Sequence, residues 1–193
     1  MPMPLPTPDA RRHLHSRVIS FEGFVRDDGL WDMEGRLVDR KSHDYHDHLG
    51  NCRHAGEPIH DMSVRLTLTD QRVVTAACAS LDVVPYTSCT EVQQGVQALV
   101  GARIGEGWKQ TVRERLPLVL SCTHLSELLV TMATAVYQTQ SMGKDPEHNN
   151  PWAAMRELTV APHFVDKCRS WRLDGEVAQS VFPLLYRAPP PSD

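Results

Sequence analysis

The stretch MSVRLTLTD, residues 62–70, decides the fold. Val64, Leu66 and Leu68 alternate with Ser63, Arg65, Thr67 and Thr69, and a period of two marks a half-buried strand. Asp70-Gln71 turns the chain, and RVVTAACASLDVV (72–84) returns as a strand expected to be buried. Working backwards, SRVISFEGFVR (16–26) runs into the turn signal Asp27-Asp28-Gly29, and LWDMEGRLVDRKSH (30–43) resumes as its partner. In that partner Leu30, Asp32, Glu34 and Arg36 share a face, while Trp31, Met33, Leu37 and Asp39 make the alternation imperfect. Gly35 is expected to permit a bulge there. At least two hairpins therefore form one meander.

Beyond Pro85 the period becomes helical. Val92, Val96, Leu99 and Val100 form a stripe, with Thr90 or Ser88 as N-cap and Gly101 as the stop. A shorter helix is expected around Trp108, Val112 and Leu116, ended by Pro117. The strongest helix carries Leu125, Leu128, Leu129, Met132, Ala133 and Val136, with Thr123 as its cap. The expected class is α+β: an antiparallel β-meander followed by two or three helices packed on one face.

Residues 1–15 read as a loose arm, residues 16–140 as one domain, and residues 141–193 as an extension beyond the polar break SMGKDPEHNNP (141–151). The extension looks too short for a domain, so it is expected to pack on the body or on a second subunit of a homodimer. Pro189-Pro190-Pro191 is expected to be loose as well.

The 193 residues are 41% hydrophobic and 23% charged, which is the composition of a globular chain. A net charge of −4 with no basic cluster argues against a nucleic-acid partner. No apolar run approaches the ~20 residues that span a bilayer, and the start lacks a signal-peptide core. A cytoplasmic protein of bacterial type with no membrane partner is expected. Five scattered cysteines without a CxxC pair point to reduced thiols.

Three polar motifs are candidates for chemistry. Cys122 and His124 open the strongest helix, where unsatisfied N–H groups favour a thiolate, and Glu127 is placed to orient His124. The plainer reading makes Cys122 a small buried residue and His124 a cap. His60 and Asp61 precede the clean strand and must point to opposite faces, so one of them faces the helices. Asp32 and Glu34 lie side by side, as paired carboxylates for acid/base work or as ordinary surface ion pairs. The histidine-rich run His43 to His48 reads as a solvated loop.

These motifs are expected to meet at the seam between sheet and helices. The candidate catalytic set is His60, Asp61, His124, Asp32, Glu34 and Cys122, with Trp31, Arg26, Glu127 and Cys89 as substrate-binding residues. There is no GxGxxG, P-loop, GxSxG or HExxH motif, and no organic cofactor is required. The first expectation is an enzyme acting on a small molecule by proton transfer, a lyase or else a hydrolase. The second is a metal-binding module using Cys89, Cys122, His124 and His60, whose thiolate and imidazole donors suit zinc or iron. The third is a non-catalytic dimeric binding domain.

The motifs DGLWDMEG (28–35), EPIHDM (57–62), LVGARIGEGW (99–108) and SCTHLSELLVTMATAVYQT (121–139), with CRSWRLDGEV (168–177), resemble a bacterial domain family of unknown function. The resemblance spans roughly Arg17 to Tyr186. It implies stand-alone cytoplasmic proteins, some linked to catabolism of aromatic or acyl compounds. The order of elements also resembles the NifU/IscU-type iron–sulfur scaffold proteins. There Asp61 falls at the scaffold aspartate, Cys89 at the second cysteine and Cys122 at the third. Ile59 takes the place of the first cysteine, and Ser121 that of the histidine before the third.

Overall fold

The computed structural model describes residues 5–141, 143–145, 147, 150–162 and 164–188. Six strands follow in chain order: β1 (His15–Val25), β2 (Trp31–Lys41), β3 (Tyr45–His46), β4 (Cys52–Arg53), β5 (Pro58–Leu68) and β6 (Val74–Val83). The four long ones form an antiparallel sheet in the order β1-β2-β5-β6, and β3 and β4 pair as a small separate hairpin. The β1–β2 turn closes through Arg26 N–H on the Leu30 carbonyl, with Gly29 at φ 81 supplying the left-handed residue. Asp28 accepts the Leu30 N–H and braces the turn.

One face of the sheet is apolar and covered. Trp31, Met33 and Leu37 of β2 join Met62, Val64, Leu66 and Leu68 of β5 in the main core. Against them lie a 3-10 helix (Thr87–Leu99), α1 (Trp108–Arg115) and α2 (Thr123–Gln140). Leu125, Leu128, Leu129, Met132 and Val136 of α2 are fully buried. At ~1.5–3 kcal/mol for each large apolar side chain, that stripe alone gains on the order of 10 kcal/mol before entropy is charged. The Trp108 indole N–H donates to the Leu129 carbonyl at 2.9 Å, so α1 is pinned to α2 by a buried polar contact as well.

Several expectations are corrected. Gly35 carries no bulge: it pairs in register with Phe21 and Val64, and the β2–β5 register shifts between Asp39 and Arg40 instead. Gly35 is needed for space, since a Cβ there would meet Met132 Cε at 2.8 Å and Phe21 Cε1 at 2.9 Å. Strand β6 is an edge strand whose Thr75, Ala76 and Cys78 are exposed, not a buried one. The segment after Pro85 winds as a 3-10 helix, with no side-chain cap, and it buries Val96 and Leu99 while Val100 is exposed. Helix α2 begins at Thr123, which leaves Cys122 in the capping position.

The chain divides into two compact units, residues 1–139 and 140–193. The second unit holds α3 (Pro151–Met155), a 3-10 turn at Arg169–Trp171 and α4 (Glu176–Val181). It has its own small cluster of Val165, Leu173, Ala178 and Phe182, where the Trp171 ring packs 5.0 Å from Phe164 and 5.7 Å from Phe182. Residues 1–4 of the arm, Pro189–Pro191, and Met142, Pro146, His148 and Asn149 of the polar break lie outside the described residues. Among the described residues, no helix is long and apolar enough to cross a membrane.

Candidate active site at the N-terminus of α2

Three polar residues continue the covered face of the sheet at one end. Arg17 of β1 sits opposite Asp39 of β2, and Asp39 sits opposite His60 of β5. Directly opposed residues in antiparallel strands share a face, so the three make one cross-strand row. Strand alternation puts that row on the side of Leu37 and Met62, beneath the helices.

Asp39 is the centre of the row and only 2% exposed. Arg17 grips it with both prongs, Nε to Oδ1 and Nη2 to Oδ2, each at 2.8 Å. His60 Nδ1 lies 3.0 Å from Oδ2, and His15 Nε2 lies 3.2 Å from Oδ1. Burial pushes the Asp39 carboxyl up, but the hydrogen bonds and charge of Arg17, with those of His60, outweigh it and hold the group at about 2. The remaining Arg17 nitrogen, Nη1, donates to Glu127 of α2 at 2.7 Å and ties the row to the helix.

Helix α2 brings the other half. The His124 ring packs on that of His60 with centroids 4.0 Å apart and a tilt of 39°. Cys122 Sγ lies 3.8 Å from His124 Nδ1. Burial raises the Cys122 thiol, yet the hydrogen bond with His124 and the N–H groups of Leu125 and His124 bring it below its ordinary value. A sulfur in the capping position facing N–H groups of the first turn explains that direction. The result is a continuous chain, Arg17–Asp39–His60–His124–Cys122, drawn from three strands and one helix.

An ionised Asp39 accepts a hydrogen bond from the Nδ1–H of His60, which leaves Nε2 as the basic nitrogen. The thiol beside His124 is suited to nucleophilic or proton-transfer work. One ligand atom from each of Asp39, His60 and His124 lies within 4.8 Å of the others, a two-histidine, one-carboxylate set of the kind that holds a divalent metal. Both Asp39 oxygens, however, already receive Arg17.

The remaining candidates from the sequence lie elsewhere. Asp61 points away from the helices, where Arg36 grips it at 2.8 and 2.7 Å and holds its carboxyl low. Glu34 pairs with Arg65 at 2.7 Å, and Asp32 accepts from Thr67 at 2.6 Å with Arg26 at 3.6 Å. These groups occupy the uncovered face, beside a shallow cavity of about 590 Å³ lined by Glu22, Glu34, Arg36 and Arg65. Trp31 is buried with its indole N–H on Asp70 at 2.8 Å. Cys89 packs half-buried against the main core.

Sequence reasoning passed over Arg17, His15 and Asp39. Their signal was parity: Arg17 follows the face of Ile19 and Phe21, and Asp39 that of Met33 and Leu37. A charged residue that extends an apolar stripe at a strand end is a candidate for a partly buried site.

A family model described as a protein of unknown function (DUF2889) matches residues 15–138. The match takes in the whole row and nearly all of α2, and it stops short of the CRSWRLDGEV segment. No curated protein and no solved structure matches the chain. Nothing among them therefore supports the likeness to NifU/IscU-type scaffolds, and neither Cys89 nor Asp61 enters a group of potential metal ligands among the described residues.

Proposed function

Because the chain belongs to this family of unknown function, whose description names no activity, we propose from the chemistry of the site that the protein is an enzyme. It acts on a small organic molecule by proton transfer, as a lyase or else a hydrolase, without an organic cofactor. The observation that carries this reading is the buried Asp39 oriented onto His60, with His60 stacked on the His124–Cys122 pair. A carboxylate that fixes one imidazole beside a second imidazole and a thiol provides a base and an acid together.

In the elimination we favour, His60 Nε2 removes a proton from carbon. The electron pair leaves with the departing group, and His124 acts as the general acid that supplies that group's proton. In a hydrolysis the Cys122 thiolate attacks the acyl carbon instead, and the alcohol or thiol leaves with a proton from His124. Water then cleaves the acyl-cysteine thioester to give the acid and the free thiol. An aromatic or acyl substrate rests on the family resemblance and not on the lining of the site.

The test is turnover on a panel of β-substituted acids, esters and thioesters with aromatic or acyl groups. His60→Ala and His124→Ala should each lose about 100-fold or more in rate while keeping the native unfolding midpoint. Full activity in both variants, or no turnover anywhere on the panel, would sink the reading.

A second reading takes the clustered ligand atoms of Asp39, His60 and His124 as a zinc or iron site. It requires Arg17 to share or release Asp39. Elemental analysis of protein purified without chelator, carried out in the Cys52→Ser background, decides it: one metal per chain, lost in His60→Ala, supports it. Metal content unchanged by His60→Ala, or Cys52→Ser protein that stays metal-free in excess zinc, rules it out.

A further inference from the structure

Between β2 and β5 the chain makes an excursion, residues 42–57, that carries the β3–β4 hairpin. None of its residues is buried. It is therefore a folded segment without an apolar core, and a crosslink such as a disulfide or a metal would fix its shape where burial does not. Cys52 is a free thiol, so no disulfide serves here.

Polar contacts shape the excursion. Asp47 accepts the N–H groups of Leu49 and Asn51, and Arg53 Nε donates to it at 3.3 Å. Gly50 and Gly56 turn the chain at φ 84 and 83. The Ala55 N–H donates to Asp44 Oδ1 at 2.8 Å, and the His54 N–H to Glu57 at 2.9 Å. These contacts gather three donors of different chemistry: the Asp44 carboxylate, the Cys52 sulfur and a His54 ring nitrogen, all within 4.8 Å of one another. His54 Nδ1 lies 3.5 Å from Asp44 Oδ2.

We propose that Asp44, Cys52 and His54 form a zinc site that staples this excursion, with water as the fourth ligand. The donor set selects the ion. Thiolate and imidazole together disfavour magnesium and calcium, and one sulfur, one nitrogen and one oxygen suit tetrahedral zinc. In contrast to Asp39, Asp44 has no guanidinium on it among the described residues, so no permanently charged side chain competes with a cation there. The ligands are exposed, which leaves the metal an open path, and the site is separate from the His60–His124 pair.

Cobalt is the probe. Added to the full-length protein, Co2+ should give the intense visible absorption of a tetrahedral ion and a near-ultraviolet thiolate charge-transfer band, both displaced by zinc. Cys52→Ser should abolish the charge-transfer band. Asp44→Asn and His54→Ala should each weaken zinc binding by at least tenfold, whereas His60→Ala and His124→Ala should leave this signal unchanged. On the unaltered protein, zinc should slow alkylation of Cys52 and not of exposed Cys168, and should protect residues 42–57 from hydrogen exchange. A pale octahedral spectrum, a thiolate band that survives Cys52→Ser, or alkylation of Cys52 indifferent to zinc would overturn the proposal.

Discussion

The rings of His60 and His124 lie 4.0 Å apart, one at the start of a central strand and the other in the first turn of α2. The two histidines are held differently, one from across the sheet and one from its own chain neighbourhood. Asp39 fixes His60 from the adjacent strand, and Cys122 contacts His124 from the capping position. The pair is thus the joint between the sheet's polar row and the helix.

The thiol should respond to that joint. His124→Ala removes the leading influence that lowers the Cys122 thiol, so its titration should move upward. Alkylation at neutral pH, followed by mass of the Cys122 peptide, should slow as the thiolate fraction falls. Exposed Cys52, Cys78 and Cys168 provide internal controls whose rates should not change. An unchanged Cys122 rate would show that burial and backbone alone set its reactivity.

Asp39 should govern stability in acid. Its folded value of about 2 lies below the ordinary ~3.9, so its contribution is complete above pH ~4 and is lost as pH falls toward 2. Denaturation curves across that window should show this loss in the native protein and a flatter profile in Asp39→Asn. Breaking a buried pair costs about 3–5 kcal/mol. Arg17 is 31% exposed, so solvent screening reduces the expected loss in Asp39→Asn at neutral pH to ~2 kcal/mol.

Gly35 should be replaceable only with compensation. Its added methyl group would press on the flexible end of Met132 and on the Phe21 ring. Gly35→Ala should therefore cost ~1–3 kcal/mol as overpacking, and Gly35→Val more. Combining Gly35→Ala with Met132→Ala should destabilise by less than the sum of the two single changes. Strict additivity in thermal unfolding would contradict the contact.

The first unit should fold by itself. Every residue of the main core lies between Trp31 and Val136, and the second cluster draws only on the chain beyond residue 154. A fragment of residues 1–140, which keeps α2 whole, should unfold cooperatively with near-native sheet and helix signals. Loss of a cooperative transition would refute that independence.

The meander was legible because alternation is local: Val64, Leu66 and Leu68 declare their face whatever they pair with. So was α2, from Leu125 to Val136, since a helical stripe depends only on spacing. The 3-10 winding after Pro85 was not, because steps of four and three between Val92, Val96 and Leu99 fit an ordinary helix as well and 3-10 runs are seldom this long. The role of Gly35 was hidden for another reason. A glycine chosen for space cannot be told from one chosen for a bulge until Met132 is known to lie over it.

By itself, then, the sequence determined the α+β class and the order of the four long strands and the helices that cover them, and it picked out His60, His124 and Cys122 as candidates. Only the tertiary structure decided which carboxylate joins them. Asp61, next to His60 in sequence, points to the opposite face and meets Arg36, while Asp39 reaches His60 from the neighbouring strand. Side-chain direction along a strand follows from adjacency, but partnership across strands follows from register. Register is settled by the packing of the whole sheet against its helices.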